Sequence, residues 1–286
     1  MRYGNLYIPD DFITELREGR LVLLVGSGAS SAAGLPDGPT LAAEVGRRCG
    51  ISIEGMEKEA DYYQRLVFCG IDAKGTVRDI IQECCRGHEE GAKPHETLLD
   101  LFAEVVHVAI VTTNFDPLLD RTCEHRRLFL GRRAWPDLPP VDGDHPLRGA
   151  VYLHGSARDS EFKGMILTAQ DFHNAYFDTA SAALFLRNLC RRRPVALVGA
   201  SANDPIYDHL QSSFEDSSLK HYAFVPEADL AHSLTGVQRL GHLVPNLECI
   251  RYAVLGKSHH ELWQGLELVA QESTRIRERK EGIRFV

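Results

Sequence analysis

The chain has 286 residues, 44% of them hydrophobic, and its 32 Lys plus Arg against 40 Asp plus Glu give a formal net charge of −8. This length suffices for a full core in one large domain, and the acidic balance does not favour non-specific binding to nucleic acid. No stretch approaches the roughly 20 consecutive apolar residues that span a bilayer, and the polar N-terminus lacks the apolar core of a signal peptide. We therefore expect no membrane segment, no direct nucleic-acid binding and a cytoplasmic location.

The cysteine and histidine patterns predict no metal site. The seven cysteines include no Cys-x-x-Cys pair, whereas a structural zinc ribbon needs two such pairs. Among the 13 histidines, His259 and His260 are adjacent, and neighbours on a helix point about 100° apart, which suits one shared ion poorly. We expect reduced, mostly buried thiols and no metal.

The first predicted elements are a short helix and a buried strand. Residues 9–18 are typical of a helix with Asp10 or Asp11 as its N-cap and Gly19 as its stop. Residues 21–25 are continuously apolar and flanked by breakers. This pattern predicts a parallel strand that helices bury on both faces.

A turn of small residues follows this strand and is a candidate phosphate-binding loop. Gly26 and Gly28 lack side chains and can adopt positive φ, so the N–H groups that follow them can approach an anionic ligand closely. A strand joined to a helix by small residues is also ordinary α/β connection chemistry. The loop alone therefore leaves nucleotide binding open.

The next segment is predicted to be helical. A helix that opens at Pro39 and Thr40 and ends at Gly50 follows the small-residue turn, and residues 51–92 then carry helix-like spacing without a convincing strand. We interpret residues 51–92 as a helical insertion in a domain that spans residues 1–286. The insertion is either a lid over the ligand site or a purely structural layer.

Strands and helices alternate through the rest of the chain, which predicts a doubly wound α/β sheet whose strand order the sequence does not reveal. The Pro- and Gly-rich segment 128–148 is predicted to be an irregular loop. The predicted strands are 105–113, 150–153, 195–198, 222–225 and 249–254, and the predicted helices are 94–103, 181–191 and 261–272.

Polar residues follow three of these strands. Asn114 and Asp116 follow the predicted strand 105–113, His154 with Gly155 follows the strand 150–153, and Ser201 follows the strand 195–198. In open parallel sheets, ligands bind beyond the carboxyl ends of the strands, so these residues are expected to surround one site.

Each of these polar residues also has a structural interpretation. Asn114 and Asp116 are well suited to cap a helix that begins near Pro117, and His154 to be a hydrogen-bonded structural histidine. Ser201 and Asp204 are suited to cap the next helix.

Four segments together resemble the sirtuin family in order and spacing. Gly26-Ser-Gly-Ala-Ser-Ser-Ala-Ala-Gly-Leu-Pro-Asp37 resembles the sirtuin glycine motif, Thr112-Thr-Asn-Phe-Asp116 the second motif, His154-Gly155 the His-Gly pair, and Gly199-Ala-Ser201 the later Gly-x-Ser segment. The resemblance implies a Rossmann-like domain that holds NAD as substrate. The residues that it implies for NAD binding are Gly26, Ser27, Gly28, Ala29, Ser30, Asp37, Thr113, Gly199 and Ser201.

The resemblance also implies that Asn114, Asp116 and His154 are catalytic. Asn114 offers a donor and an acceptor to fix a ribose hydroxyl or a water, and Asp116 can accept a hydrogen bond from the nicotinamide carboxamide. His154, with an unperturbed pKa near 6.5, is suited to accept a proton from a ribose hydroxyl or from the attacking water.

Two departures from deacylating sirtuins shift the expected activity. Those proteins read Gly-Ile-Pro-Asp-Phe-Arg after the glycine loop, whereas this chain reads Gly34-Leu-Pro-Asp-Gly-Pro39, and it lacks their zinc ribbon. The chain is more similar to the sirtuin-like domains of bacterial antiviral defence, which hydrolyse NAD to nicotinamide and ADP-ribose. That likeness implies activation in a homo-oligomer or with a partner such as an ATPase or an Argonaute-like protein. An NAD-dependent deacylase or ADP-ribosyltransferase, and a non-catalytic NAD or ADP-ribose sensor, are the alternatives.

Overall fold

The computed structural model describes residues 1–52, 59–103, 105, 108–128, 131–141, 147–158, 164–200, 206–227, 244–254 and 259–283. These residues form a small antiparallel hairpin and a seven-stranded parallel sheet. The hairpin comprises β1 (Arg2–Tyr3) and β2 (Leu6–Tyr7). The strands of the sheet are β3 (Val22–Val25), β4 (Ala109–Thr112), β5 (Arg132–Ala134), β6 (Gly149–Tyr152), β7 (Val195–Val198), β8 (His221–Pro226) and β9 (Leu247–Tyr252).

The order of the strands is that of a Rossmann fold. The large sheet runs β5-β6-β4-β3-β7-β8-β9, and every neighbouring pair in it is parallel. Leaving aside the edge strand β5, the other six follow the order 3-2-1-4-5-6 of doubly wound dinucleotide-binding sheets. The predicted fold class is therefore confirmed. The direction of winding reverses between β3 and β7, at the centre of the sheet.

Helices cover both faces of this sheet. Along β3, Leu23 and Val25 pack into one core while Val22 and Leu24 pack into the other, so all four side chains are buried. This two-sided burial explains the continuous apolar run. The helices of the first face are α1 (Asp10–Arg17), α6 (Lys93–Asp100), α7 (Leu118–His125) and α11 (His260–Ile283), and those of the second are α9 (Ser181–Arg192) and α10 (Ile206–Glu215).

A third core lies beyond the sheet. It is formed by α3 (Gly38–Cys49), which Gly50 ends in the left-handed conformation, and by the two helices that occupy the described part of the predicted insertion, α4 (Glu59–Phe68) and α5 (Ala73–Cys84). The remaining helices are α2 (Gly28–Ala32) and α8 (Ala169–His173), which continues into one π-helical turn (Asn174–Asp178).

Several predicted boundaries differ from the structure. Segment 128–148 is not wholly irregular, because β5 pairs with β6 at the edge of the sheet, where a short polar strand needs no apolar pattern. The strand predicted at 105–113 begins at Ala109, and residues 104, 106 and 107 lie outside the described residues. Helix α1 has Pro9 as its N-cap, since Asp10 and Asp11 already lie in its first turn.

Two classes of feature are not found in the described ranges. No described helix combines the length and apolar character that crossing a bilayer requires. The same residues contain no cluster of three or more His, Cys, Asp or Glu side chains that could hold a metal ion. All seven cysteines are free thiols.

Candidate functional site

A cavity of about 150 Å³ lies beyond the carboxyl ends of β3, β4 and β6. Ligands bind at this edge of doubly wound sheets, which makes the cavity the candidate site. Its wall is polar where the strands end and apolar elsewhere. The polar side chains are Ser27, Ser30, Thr113, Asn114, Asp116 and His154, and the apolar ones include Leu35, Leu41, Tyr63, Ile81, Phe115, Ile166, Leu167 and Phe172.

A chain of hydrogen bonds ties the small-residue loop to the end of β4. The Asn114 Nδ2 amide donates to the Ser30 Oγ at 2.9 Å and to the Gly26 carbonyl at 3.1 Å, while the Ser30 hydroxyl donates to Asp116 Oδ2 at 2.6 Å. Ser30, Asn114 and Asp116 are all buried, and we call these three residues the floor of the site. Because β3 and β4 are neighbours, the loop and the second motif meet although more than 80 residues separate them.

These bonds limit what Asn114 can offer to a ligand. A primary amide has two N–H donors, and both are used within the protein. Only its carbonyl oxygen remains for a bound molecule, as an acceptor. The expectation that Asn114 offers both a donor and an acceptor therefore needs correction.

Asp116 has the structural role that the sequence allowed and also lies at the cavity. Its Oδ1 accepts from the Leu118 N–H at 3.0 Å at the start of α7, so it stabilises that helix end, and it also lines the cavity. Asn114 does not cap α7, since its side-chain amide faces Ser30 and Gly26 instead. Asp116 therefore both stabilises the start of α7 and lines the cavity, whereas Asn114 lines the cavity without capping that helix.

His154 follows β6 and is held by aromatic residues. Its Nε2 hydrogen-bonds the Tyr176 hydroxyl at 2.8 Å, and the ring meets Phe172 edge-on at 5.2 Å. His154 is buried, and this burial lowers its pKa to about 3, which corrects the expected value near 6.5. The imidazole is therefore neutral at physiological pH and keeps one lone pair.

Tyr176 is a site residue that sequence reasoning missed. It lies on the π-helical turn, with its ring stacked on His209 at 4.5 Å and on Phe172 at 5.9 Å. The sequence carries one pattern that indicates a helix start here: Thr168 and Asp171 form a capping box at the start of α8. A helix predicted there would have placed Phe172 and Tyr176 one turn apart on the same side.

The glycines of the loop are required by a close contact between two loops and not by positive φ. Neither Gly26 nor Gly28 has a positive φ, so that expectation is wrong. A Cβ on Gly26 would lie 2.7 Å from the Ala200 Cα, and one on Gly28 would lie 2.8 Å from the Gly199 Cα. Both glycines are required because the loops after β3 and β7 touch, and the Gly28 N–H donates to the Gly199 carbonyl at 2.8 Å.

The other residues that the resemblance implied for NAD binding lie in different parts of the structure, and not all of them line the cavity. Thr113 lines the cavity, Ala29 is fully buried in the core, and Gly199 has a φ of +62° where it meets Gly28. Asp37 is exposed and caps α3 by accepting from the Thr40 N–H at 3.0 Å. Ser201 lies outside the described residues, as does Asp204.

Helices of the predicted insertion cover the cavity together with α8. We call Tyr63 of α4, Ile81 of α5 and Phe172 of α8 the roof of the site. An ion pair between Lys74 Nζ and Asp171 Oδ1 at 2.8 Å joins α5 to α8. The roof is therefore connected across two separate segments of the chain.

Comparisons with known proteins agree with this fold. Residues 108–240 match the family model of the SIR2-like domain, a segment that contains Asn114, Asp116 and His154, and this match supports a sirtuin-like fold. The chain is 32% identical over 214 residues to the uncharacterized protein y4cA of Sinorhizobium fredii, and the match covers 68% of this chain. The chain spans only 18% of the length of that curated relative.

Two solved structures are similar at low sequence identity. One is a chain from a structural study of the mechanism and regulation of Sir2 enzymes, with a TM-score of 0.47, 14% identity, and coverage of 95% of this chain and 100% of that chain. The other is a variant Sir2 homologue in complex with ADP-ribose, with a TM-score of 0.46, 13% identity, and coverage of 94% and 98%. Both TM-scores lie below 0.5, so the fold stated above rests on the topology of the sheet.

Proposed function

We propose that this chain binds NAD at the cavity and hydrolyses it to nicotinamide and ADP-ribose. The observation that carries the proposal is the convergence of Asn114, Asp116 and His154 from two strand ends onto one cavity. All three lie within the segment that matches the SIR2-like domain, which supports an NAD-related activity. Ser27, Ser30 and Thr113 line the same cavity and are proposed to contact NAD.

The proposed reaction breaks the bond between nicotinamide and the ribose. Nicotinamide leaves with the bonding electron pair, the ribose carbon acquires oxocarbenium character, and a water adds to that carbon and loses one proton. The products are nicotinamide, ADP-ribose and that proton. The protein mainly has to orient the ribose and the water, because the leaving group is already cationic in the substrate.

Each catalytic side chain has one role in this proposal. The Asn114 carbonyl oxygen accepts from a ribose hydroxyl or from the water, since its N–H donors are already used. Asp116 accepts from the nicotinamide carboxamide. His154 takes the proton of the attacking water on Nδ1, which carries the free lone pair in the tautomer whose Nε2–H donates to the Tyr176 hydroxyl. A neutral imidazole of low pKa is sufficient, because water bound to an oxocarbenium-like carbon is strongly acidic.

The size and lining of the cavity favour the nicotinamide end of the substrate. Its volume of about 150 Å³ is below the 300–1,000 Å³ or so of pockets that enclose a drug-sized ligand. The apolar and aromatic roof residues suit a flat ring. We place the rest of NAD along the loops that follow β3 and β7.

A non-catalytic sensor of NAD or ADP-ribose is the second candidate. The observation that favours it is the commitment of polar groups within the protein: both Asn114 donors and the Gly28 N–H are already bonded to protein acceptors. Because these donors are already used, they are not free to take part in a reaction, whereas the remaining lining of the cavity can still hold a ligand.

Incubation of the purified chain with NAD separates the candidates. Release of free ADP-ribose and nicotinamide without an acceptor supports hydrolysis, and loss of that release in Asn114→Ala assigns it to this site. Turnover that requires an acyl-peptide or protein acceptor indicates a deacylase or an ADP-ribosyltransferase instead. Calorimetric binding without any turnover, in the dilute chain and at concentrations high enough for it to assemble, indicates the sensor.

We further propose that the chain acts as a cytoplasmic antiviral-defence effector that assembly activates. An NAD hydrolase that was always active would deplete the NAD of its own cell. The ion pair that joins α5 to α8 is consistent with a resting state that a homo-oligomer, or a partner such as an ATPase or an Argonaute-like protein, releases. Full activity of the dilute, purified monomer would contradict this part of the proposal.

A further inference from the structure

A second, much smaller cavity lies on the other side of the floor. Its volume is about 10 Å³, and Asn114 and Asp116 line it as well as the larger cavity. Its remaining polar lining is formed by His95 of α6, Thr112 of β4 and Tyr152 of β6. About this much space holds a single water molecule.

Two polar atoms beside this cavity need a hydrogen-bond partner. His95 Nδ1 and the Tyr152 hydroxyl are completely buried, and neither meets a partner at full hydrogen-bond geometry among the described residues. The Asp120 carboxylate is the group nearest to being one, since it interacts with the Tyr152 hydroxyl and helps to raise its pKa. Buried polar atoms of this kind are nearly always satisfied, by protein or by ordered water, because a bare one costs free energy. The two residues belong to different elements and line the same small space.

The protonation states of both groups suit a bridge. Burial lowers the pKa of His95, although the nearby Asp116 charge opposes this, so the ring is neutral and can accept one hydrogen bond as well as donate one. Burial and the Asp120 charge raise the pKa of Tyr152 well above its usual value, so its hydroxyl keeps the proton. The hydroxyl therefore supplies a donor.

We propose that this cavity is a binding site for one water molecule, which accepts from the Tyr152 hydroxyl and hydrogen-bonds His95 Nδ1. The bound water joins α6 to β6 directly beneath Asp116. Each Asp116 oxygen accepts one hydrogen bond, from the Ser30 hydroxyl and from the Leu118 N–H, and each has a further lone pair for a proton of this water. The water thus completes a polar support for the floor.

A high-resolution crystal structure of the full chain tests the site directly. We expect density for one water within about 2.7–3.2 Å of both His95 Nδ1 and the Tyr152 hydroxyl. An empty cavity, or a direct hydrogen bond from either atom to another protein atom, would overturn the proposal. The result does not depend on NAD cleavage, so it stands or falls separately from the proposed function.

Variants test the energetic link that the water provides. Tyr152→Phe keeps the ring and removes the hydroxyl, and His95→Leu removes the other partner; each is expected to lower Tm by about 2–4 °C. The double variant should lose less than the sum, because either change already breaks the bridge. If the Tm loss of the double variant equalled the sum of the two single losses, the proposed water bridge would be contradicted.

A matched control uses another buried tyrosine. The Tyr252 hydroxyl bonds His259 Nδ1 at 2.9 Å, and Tyr252 does not line this cavity, so Tyr252→Phe combined with His95→Leu is expected to be additive. Should His95→Leu fail to fold, the crystal structure of Tyr152→Phe decides alone. Loss or displacement of the water there supports the bridge, whereas an unchanged water would overturn it.

Discussion

The floor and the roof of the cavity are built in different ways. In the floor, Asn114 and Asp116 follow β4 and Ser30 lies in the short helix α2. Hydrogen bonds of 2.6–3.1 Å fix the three residues to each other and to the backbone. The roof consists of apolar side chains on helices, joined by the Lys74–Asp171 ion pair. The floor therefore moves only with the sheet, whereas the roof can shift without breaking a strand.

The largest effect is expected where the floor meets the proposed chemistry. Asn114→Ala and His154→Ala should each lower the rate of nicotinamide release by roughly 10²-fold or more, because positioning and proton acceptance are lost. Gln64→Ala on α4 is the matched control, because it removes an acceptor for the Gln170 N–H away from the proposed chemistry. It should retain most of the activity. Circular dichroism confirms folding of all three. Parental turnover in either site variant would refute the catalytic assignment.

The contact between the loops after β3 and β7 should produce the next largest effect. Gly28→Ala places a methyl group against the Gly199 backbone and should lower the free energy of unfolding by about 1–3 kcal/mol. Gly131→Ala is the control, because a Cβ there meets its nearest atom at an ordinary 3.7 Å. Denaturant unfolding measures both. Equal stability of the two variants would show that the loops have room to separate.

His154 follows β6, meets the roof residue Phe172 edge-on, and should make stability depend on pH. Its folded pKa of about 3 lies below the unfolded value near 6.5, so the unfolded chain binds the proton more readily. The stabilisation is complete above pH 6.5 and is lost as the pH falls toward 3, at up to about 1.4 kcal/mol per pH unit.

Buried His221, whose pKa burial lowers to about 4, adds to the same slope. Unfolding measured at several pH values between 7 and about 4.5 checks this expectation. His154→Gln should flatten the slope. A slope that His154→Gln does not alter would mean that protons reach this ring in the folded chain.

The smallest effect on stability is expected in the roof. Lys74→Met removes the ion pair with Asp171 and should cost at most about 1 kcal/mol, because the two side chains are partly exposed. Limited proteolysis or hydrogen exchange of α4 and α5 should nevertheless become faster. Lys93→Met removes a comparable pair with Glu267 outside the roof and serves as the control. Unchanged protection of α4 and α5 would show that apolar packing alone holds the roof.

Much of the fold was predictable because strong local patterns specify it. The strand Val195–Val198 and the helix Ser181–Arg192 match the predicted ranges closely, since an apolar run and a 3.6-residue repeat are unambiguous there. The convergence of Asn114 and His154 followed from parallel-sheet geometry alone. Nothing beyond strand polarity was needed for it.

The remaining features depend on contacts that no local pattern encodes. The reason for Gly28 is its contact with Gly199, which follows from the adjacency of β3 and β7, and strand order is not readable from the sequence. The commitment of the Asn114 donors and the low pKa of His154 likewise depend on partners brought in by other elements. Short polar β5 carries too few residues for a periodic signal.

The hydrogen bond from the Gly28 N–H to the Gly199 carbonyl also provides a built-in reporter. It spans the point between β3 and β7 where the direction of winding reverses. A bonded, sterically confined amide exchanges its hydrogen for deuterium only when the bond opens. The exchange rate of this single amide therefore measures how often the central crevice parts, with or without a ligand and without any turnover assay.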